Sequence, residues 1–133
     1  MKGLYILVIF LSKSTLIKVG ALGNIEFKKG YYLYVGSAMG SRGSTTLLNR
    51  TIRHLKCSPS KKLHWHIDYF LENEYTEIVR IHLFPISIDL ECNIANSLLF
   101  HSDNCINGFG CSDCVCKSHL LYFIELPFLK DVL

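Results

Sequence analysis

Gly3 to Leu11 is an unbroken, partly β-branched apolar run, the pattern of a strand buried on both faces. Ser12 to Ser14 makes a turn, and Thr15 to Val19 reads as a second short strand. Turns at Gly20–Asn24 and Lys29-Gly30 lead to Tyr31–Gly36, aromatic and β-branched, a third strand. Gly36, Gly40 and Gly43, interleaved with Ser and Thr, then form a loop. Thr46 to Lys56 reads as a helix. Leu47, Leu48, Ile52 and Leu55 have the spacing of one apolar face, and Arg50, Arg53 and Lys56 line another. Ser58-Pro59-Ser60 stops it. Leu63, Ile67, Phe70 and Leu71 give a second helix over Leu63–Glu72, while strict alternation would instead place His64, His66 and Asp68 on one strand face. Glu77 to Leu83 is a strand ended by Pro85. Ser87 is the expected N-cap of a helix running to about Phe100. His101 to Asp113 reads as loop and His119 to Leu126 as a final strand. This order predicts an α+β domain, a small antiparallel or mixed sheet flanked by helices.

Composition narrows the class. The chain has 133 residues, half of them apolar and 19% charged, which suits one globular domain rather than a disordered tail. No apolar run approaches the roughly 18 residues of a membrane span, so no membrane partner is expected. Leu4–Leu11 with Ala21-Leu22-Gly23 imitates a signal peptide, but Lys13 and Lys18 fall between run and cleavage site, which is wrong for secretion. The expectation is a cytoplasmic protein whose six Cys are thiols or metal ligands rather than disulfides.

Charge changes the picture further. Residues 1–67 carry eleven Lys/Arg against Glu26 alone, while residues 68–133 carry three against ten Asp/Glu. Lys28, Lys29, Arg42, Arg50, Arg53, Lys56, Lys61 and Lys62 lie between Phe27 and Ile67 with no acid among them. Either one face meets a polyanion, or the two halves neutralise each other in three dimensions.

Gly3-Leu4-Tyr5 opens the first strand and Tyr34-Val35-Gly36 closes the third. Arg50 lies on the basic helix with His54 one turn later, and Glu91 sits near the start of the last helix. This pattern resembles the GIY-YIG nuclease superfamily. Nearly the full chain is similar to an uncharacterised family related to it. That likeness is carried by Tyr34-Val35-Gly36-Ser37-Ala38, Arg53-His54, His64-Trp65-His66-Ile67-Asp68-Tyr69, Glu91-Cys92, and the string from Phe109 to His119. The resemblance implies a GIY-YIG-like fold over residues 1–133 and phosphodiester hydrolysis at one Mg²⁺ or Mn²⁺. Tyr5 or Tyr34 would activate water as a phenolate or through a relayed proton. Arg50 would clamp phosphate, His54 would bind phosphate or pass a proton, and Glu91 would hold the metal. Lys28, Lys29, Arg42, Arg53, Lys56, Lys61 and Lys62 would line the nucleic-acid face. DNA is the expected partner. A homodimer or two successive encounters would be needed to cut both strands, and association or fusion with DNA-repair enzymes is a further expected partnership. Each residue also has a structural reading: core Tyr, surface Arg, and an acid favoured by a helix N-terminus. Ser37 stands where several superfamily members carry a basic residue.

Two further clusters stand out. Cys111, Cys114, Cys116 and His119 offer four soft or borderline ligands within nine residues, a donor set that zinc prefers. The usual pattern separates two pairs in sequence, so Cys92, Cys105 or a His would complete a site using part of the string. The alternative is a turn of small buried thiols. In the other cluster, Asp68 would orient His64 or His54, with His66 beside them, or a His pairs with an acid for stability alone. Trp65 and Tyr69 read as packing residues.

Three functions follow. One is a metal-dependent DNA endonuclease. Another is a non-catalytic nucleic-acid-binding module with the same fold. The third is a zinc-stabilised interaction domain, compatible with either.

Overall fold

A computed structural model describes residues 2–40, 43, 46–55, 63, 65–111 and 116–129. The elements run β1 (Gly3–Leu11), β2 (Thr15–Lys18), β3 (Asn24–Phe27), β4 (Gly30–Ala38), α1 (Leu47–Leu55), α2 (His66–Glu72), β5 (Thr76–Phe84), α3 (Glu91–His101), β6 (Asn104–Cys105) and β7 (Leu120–Phe123). A five-stranded sheet has the order β5-β1-β4-β7-β6, and β2 and β3 form a separate hairpin. Every pairing is antiparallel. The fold is α+β, as the order of elements implied.

The unbroken apolar run of β1 is explained by its place. It pairs with β4 on one side and β5 on the other, and both its faces are covered. Tyr5, Leu7, Ile9 and Leu11 point to one face, where Leu47 of α1, Ile67 and Phe70 of α2, Phe27 of β3 and Phe109 meet them. Ile6 and Val8 point to the other, against Leu33, Val35 and the α3 residues Ala95 and Leu98. Each such fully buried aliphatic chain contributes about 1.5–3 kcal/mol, so β1 is the anchor of two cores at once. Among the described residues no helix is long and apolar enough to cross a membrane.

Several expectations need correction. A fourth strand, β3, pairs with β2 where the sequence reading placed only turns. The two-residue β6 joins β7 within the expected loop. The third main strand starts at Gly30 and runs on to Ala38. The α3 helix begins at Glu91, with Leu90 rather than Ser87 as its N-cap residue. The carboxylate of Asp89 accepts the Glu91 amide at 3.1 Å, satisfying one of the N–H groups a helix start leaves open. The choice at residues 63–72 resolves as helix, spanning His66–Glu72.

The largest correction concerns α1. Leu48, Ile52 and Leu55 are exposed, and the buried stripe is Leu47, Thr51 and His54. The helix thus turns its mixed face to the sheet and leaves much of its apolar stripe outside. What it buys by doing so is a histidine placed over the sheet.

Candidate active site and metal centre

The site begins with strand register. Tyr5 lies opposite Gly36 and Leu7 opposite Tyr34, so the two tyrosines are diagonal neighbours on one sheet face. Their ring centroids are 6.4 Å apart. Gly36 is required there for space: an added Cβ would collide with Cζ and Oη of Tyr5. The Gly in the second triplet is therefore the seat of the Tyr in the first.

α1 closes over this pair. Tyr5 Oη is 2.7 Å from His54 Nε2, a buried bond between residues 49 positions apart. The His54 ring also lies 6.3 Å from that of Tyr34. One turn earlier, Arg50 donates from Nη1 to the Ser37 carbonyl at 3.1 Å, beside Gly36. Its guanidinium lies 4.5 Å from the centre of the Trp65 ring, a contact that contributes about 0.5–2 kcal/mol. Arg50 Nε is buried and has no hydrogen-bond acceptor among the described residues. Tyr5, Tyr34, His54 and Arg50 are thus brought together as the pattern expected.

Burial raises the pKa of Tyr5 above the ordinary phenol value, with the Arg50 charge opposing and that of Glu91 adding to the rise. Burial also raises Tyr34 well above that value, aided by Tyr5 and Glu91. Both are neutral phenols near pH 7. A phenolate base is therefore disfavoured, and the proton-relay form of the expectation, Tyr5 Oη to His54 Nε2, fits the geometry.

Other expected roles change. Arg53 was placed on the nucleic-acid face. In the structure it grips Asp68 with both ends of its fork, Nη1–Oδ1 at 2.8 Å and Nη2–Oδ2 at 2.9 Å. Asp68 is wholly buried and also accepts the Trp65 amide at 2.9 Å. Asp68 thus joins Arg53 to the start of α2. Trp65, read as packing, is a platform for two arginines, since Arg53 also lies 4.5 Å from its ring centre. Lys28 and Lys29 precede Gly30, at the far end of the nine-residue β4 from Ala38, a span of about 30 Å. They do not join Arg50. Arg42, Lys56, Lys61, Lys62, His64 and Cys114 lie outside the described residues.

His66 supports the neighbouring loop. Its Nδ1 accepts the Gly110 amide at 2.9 Å, and its ring packs 5.6 Å from Phe109. Gly110 itself has φ +73° and is wedged between His119 and Tyr34, so a side chain there meets both strain and contact. An accepting Nδ1 requires a neutral ring, and burial lowers the His66 pKa below 6.5. The fold thus favours the neutral form. The stabilisation is present above the unfolded value and is lost as pH falls through the lowered folded value. Gly110 amide exchange, corrected for its intrinsic rate, is expected to lose protection as pH drops from about 7 to below the ordinary histidine value of roughly 6.5. His66→Gln should remove that pH dependence.

Beside Tyr34 the second constellation assembles. His119 is 2% exposed and precedes β7, its carbonyl accepting the Val35 amide at 3.0 Å. Its Nε2 is 2.7 Å from Cys116 Sγ and 3.6 Å from Cys92 Sγ. The two sulfurs are 2.8 Å apart, and Cys111 Sγ is 3.8 Å from Cys116 Sγ. Cys92, Cys116 and His119 form a group able to hold a metal ion. On the other side of the ring, Glu91 Oε1 is 2.5 Å from His119 Nδ1. Cys92 is recruited from 24 positions before Cys116 by the first turn of α3. Only its place next to Glu91 hinted at this in sequence. Cys105 is not part of the group; its Sγ meets Asn107 Oδ1 at 3.4 Å.

Glu91 therefore has two faces. Oε1 meets His119 Nδ1, and the charge of Glu91 acts on both tyrosines. Magnesium retains several waters and accepts as few as one protein carboxylate, so this donor fits such an ion.

Comparison with protein-family models matches residues 4–133 to the family described as "Domain of unknown function DUF123". Comparisons with curated proteins and with solved structures each return no match.

Proposed function

We propose that this chain, which belongs to the DUF123 family, is a metal-dependent endonuclease hydrolysing phosphodiesters in DNA. The resemblance of its two Tyr-Gly triplets to those of GIY-YIG nucleases motivates the reading. The observation that carries it is the gathering of Tyr5, Tyr34, His54 and Arg50 at one end of β1 and β4, within the field of Glu91. Arg50 holds a phosphate oxygen through its unpartnered Nε. Tyr5 Oη takes the proton of the attacking water as it hands its own to His54 Nε2, 2.7 Å away. A divalent cation on Glu91, when bound, would supply Lewis acidity toward the phosphate. The basic residues that flank α1 in sequence, Arg42, Lys56, Lys61 and Lys62, are the DNA contacts of this reading.

The test is cleavage of labelled supercoiled, single-stranded, flap and four-way DNA with Mg²⁺ or Mn²⁺. Arg50→Ala should lower cleavage by about 10²–10³-fold, the usual cost of losing one donor to a developing oxyanion. Salt-sensitive DNA binding without cleavage would replace the nuclease with the non-catalytic binding module.

A further inference from the structure

We propose that Cys92, Cys116 and His119 form the core of a structural zinc site, that Cys111, whose Sγ is 3.8 Å from that of Cys116, closes in as the fourth ligand when the ion binds, and that Glu91 is the carboxylate that orients His119. The inference is independent of the nuclease reading.

Spacing is the first argument. A tetrahedral zinc with Zn–S about 2.3 Å and Zn–N about 2.0 Å sets its ligand atoms about 3.5–3.8 Å apart. Cys111 Sγ to Cys116 Sγ is 3.8 Å, and Cys92 Sγ to His119 Nε2 is 3.6 Å, both at that length. The Cys92–Cys116 and Cys116–His119 separations, 2.8 and 2.7 Å, are shorter. Three donors thus converge on one point, and Cys116 is the one drawn furthest in. A sulfur pair at 2.8 Å is also well outside the roughly 2.05 Å of a disulfide, and both cysteines are free thiols.

Orientation is the second argument. Glu91 Oε1 lies 2.5 Å from Nδ1, so the ring turns its outer nitrogen to a carboxylate and Nε2 to the thiols. A carboxylate on the outer nitrogen of a ligating histidine fixes the ring and raises its basicity. Chemistry is the third. Three thiolates and one imidazole form a known zinc set, closed to water and suited to structure. The ion would tie the start of α3, which carries Cys92, to the loop and turn that carry Cys111, Cys116 and His119. His119 and Glu91 already meet across those segments. The ion would thereby hold Glu91 beside Tyr34.

The experiment measures zinc per chain by elemental analysis of the protein purified without added metal, and then the absorption spectrum after exchange with Co²⁺. The expected result is about one zinc per chain, and a cobalt form with thiolate charge-transfer bands and the intense visible bands of tetrahedral geometry. Cys92→Ala and Cys116→Ala should lose the metal, and Cys105→Ala should keep it. Glu91→Gln should weaken zinc affinity about 10–100-fold. The wild-type spectrum stands even if a cysteine variant fails to fold. A metal-free wild type with all thiols titratable, a Cys92–Cys116 disulfide found by mass, or full zinc retention by Cys92→Ala would overturn the proposal. DNA cleavage enters none of these readouts, so a failed zinc site and a failed nuclease are told apart.

Discussion

Replacing Tyr5 by Phe is expected to leave the fold standing and to reduce DNA cleavage by about 10²–10⁴-fold, the usual contribution of a positioned proton-transfer group. The substitution removes one oxygen, 2.7 Å from His54 Nε2, and keeps the ring that sits on Gly36 and against Tyr34. The thermodynamic cost is the buried hydrogen bond, about 1–3 kcal/mol once its partner is left unsatisfied. A domain of this size withstands that loss. Circular dichroism and thermal melting would establish that the fold persists, and a cleavage assay would give the rate. Because burial holds both phenols above their ordinary pKa, the activity of the wild type should not rise with pH by forming a tyrosinate. Full activity in Tyr5→Phe would make Tyr5 a core aromatic and nothing more.

Asp68→Ala is expected to be the most damaging single substitution for stability, costing about 3–5 kcal/mol as the loss of one partner from a buried ion pair. Total stabilities are only about 5–15 kcal/mol, so the variant should melt far below the wild type or fail to accumulate. The carboxylate is wholly buried and its partner Arg53 is 23% exposed, so the charge left behind cannot fully rehydrate. The same substitution removes the acceptor for the Trp65 amide at the start of α2. Trp65 carries Arg50 as well as Arg53, so damage at Asp68 reaches the phosphate clamp. Denaturant unfolding of Asp68→Ala against Arg53→Met would check it. The Met variant leaves Asp68 buried without its strongest partner, and it should be similarly unstable. If both variants unfold like the wild type, the pair is a surface contact in solution.

How much of this was legible in the sequence depends on range. β1 was readable because a strand buried on both faces leaves no polar position, and its limits came out as Gly3–Leu11. α1 was readable as a helix, but periodicity gives a face without saying which way it points. Leu48, Ile52 and Leu55 look like core and are exposed, while Thr51 and His54 lie off that apolar stripe and are buried. The inversion arises because the sheet beneath offers Tyr5 Oη, a polar partner that only a polar side chain can satisfy. β3 was hidden because a four-residue strand with one fully buried residue carries almost no pattern.

The site divides the same way. The triplets placed Tyr5 and Tyr34 on neighbouring strands, and register did the rest. Among the described basic residues, one strand length separates Lys28 and Lys29 from Arg50. Arg53 and Asp68, 15 positions apart, met because α1 and α2 cover the same sheet face, which no local rule anticipates. Cys92 joined Cys116 and His119 for the same reason, and only a three-dimensional arrangement reveals which cysteine completes the set.

The most direct test of the account is DNA cleavage by the purified protein after removal of loosely bound cations, with Mg²⁺ or Mn²⁺ restored, comparing wild type with Glu91→Ala. The account predicts cleavage by the wild type that returns with either cation and is lost in the variant. No cleavage with any cation, or equal cleavage by the two proteins, would contradict it.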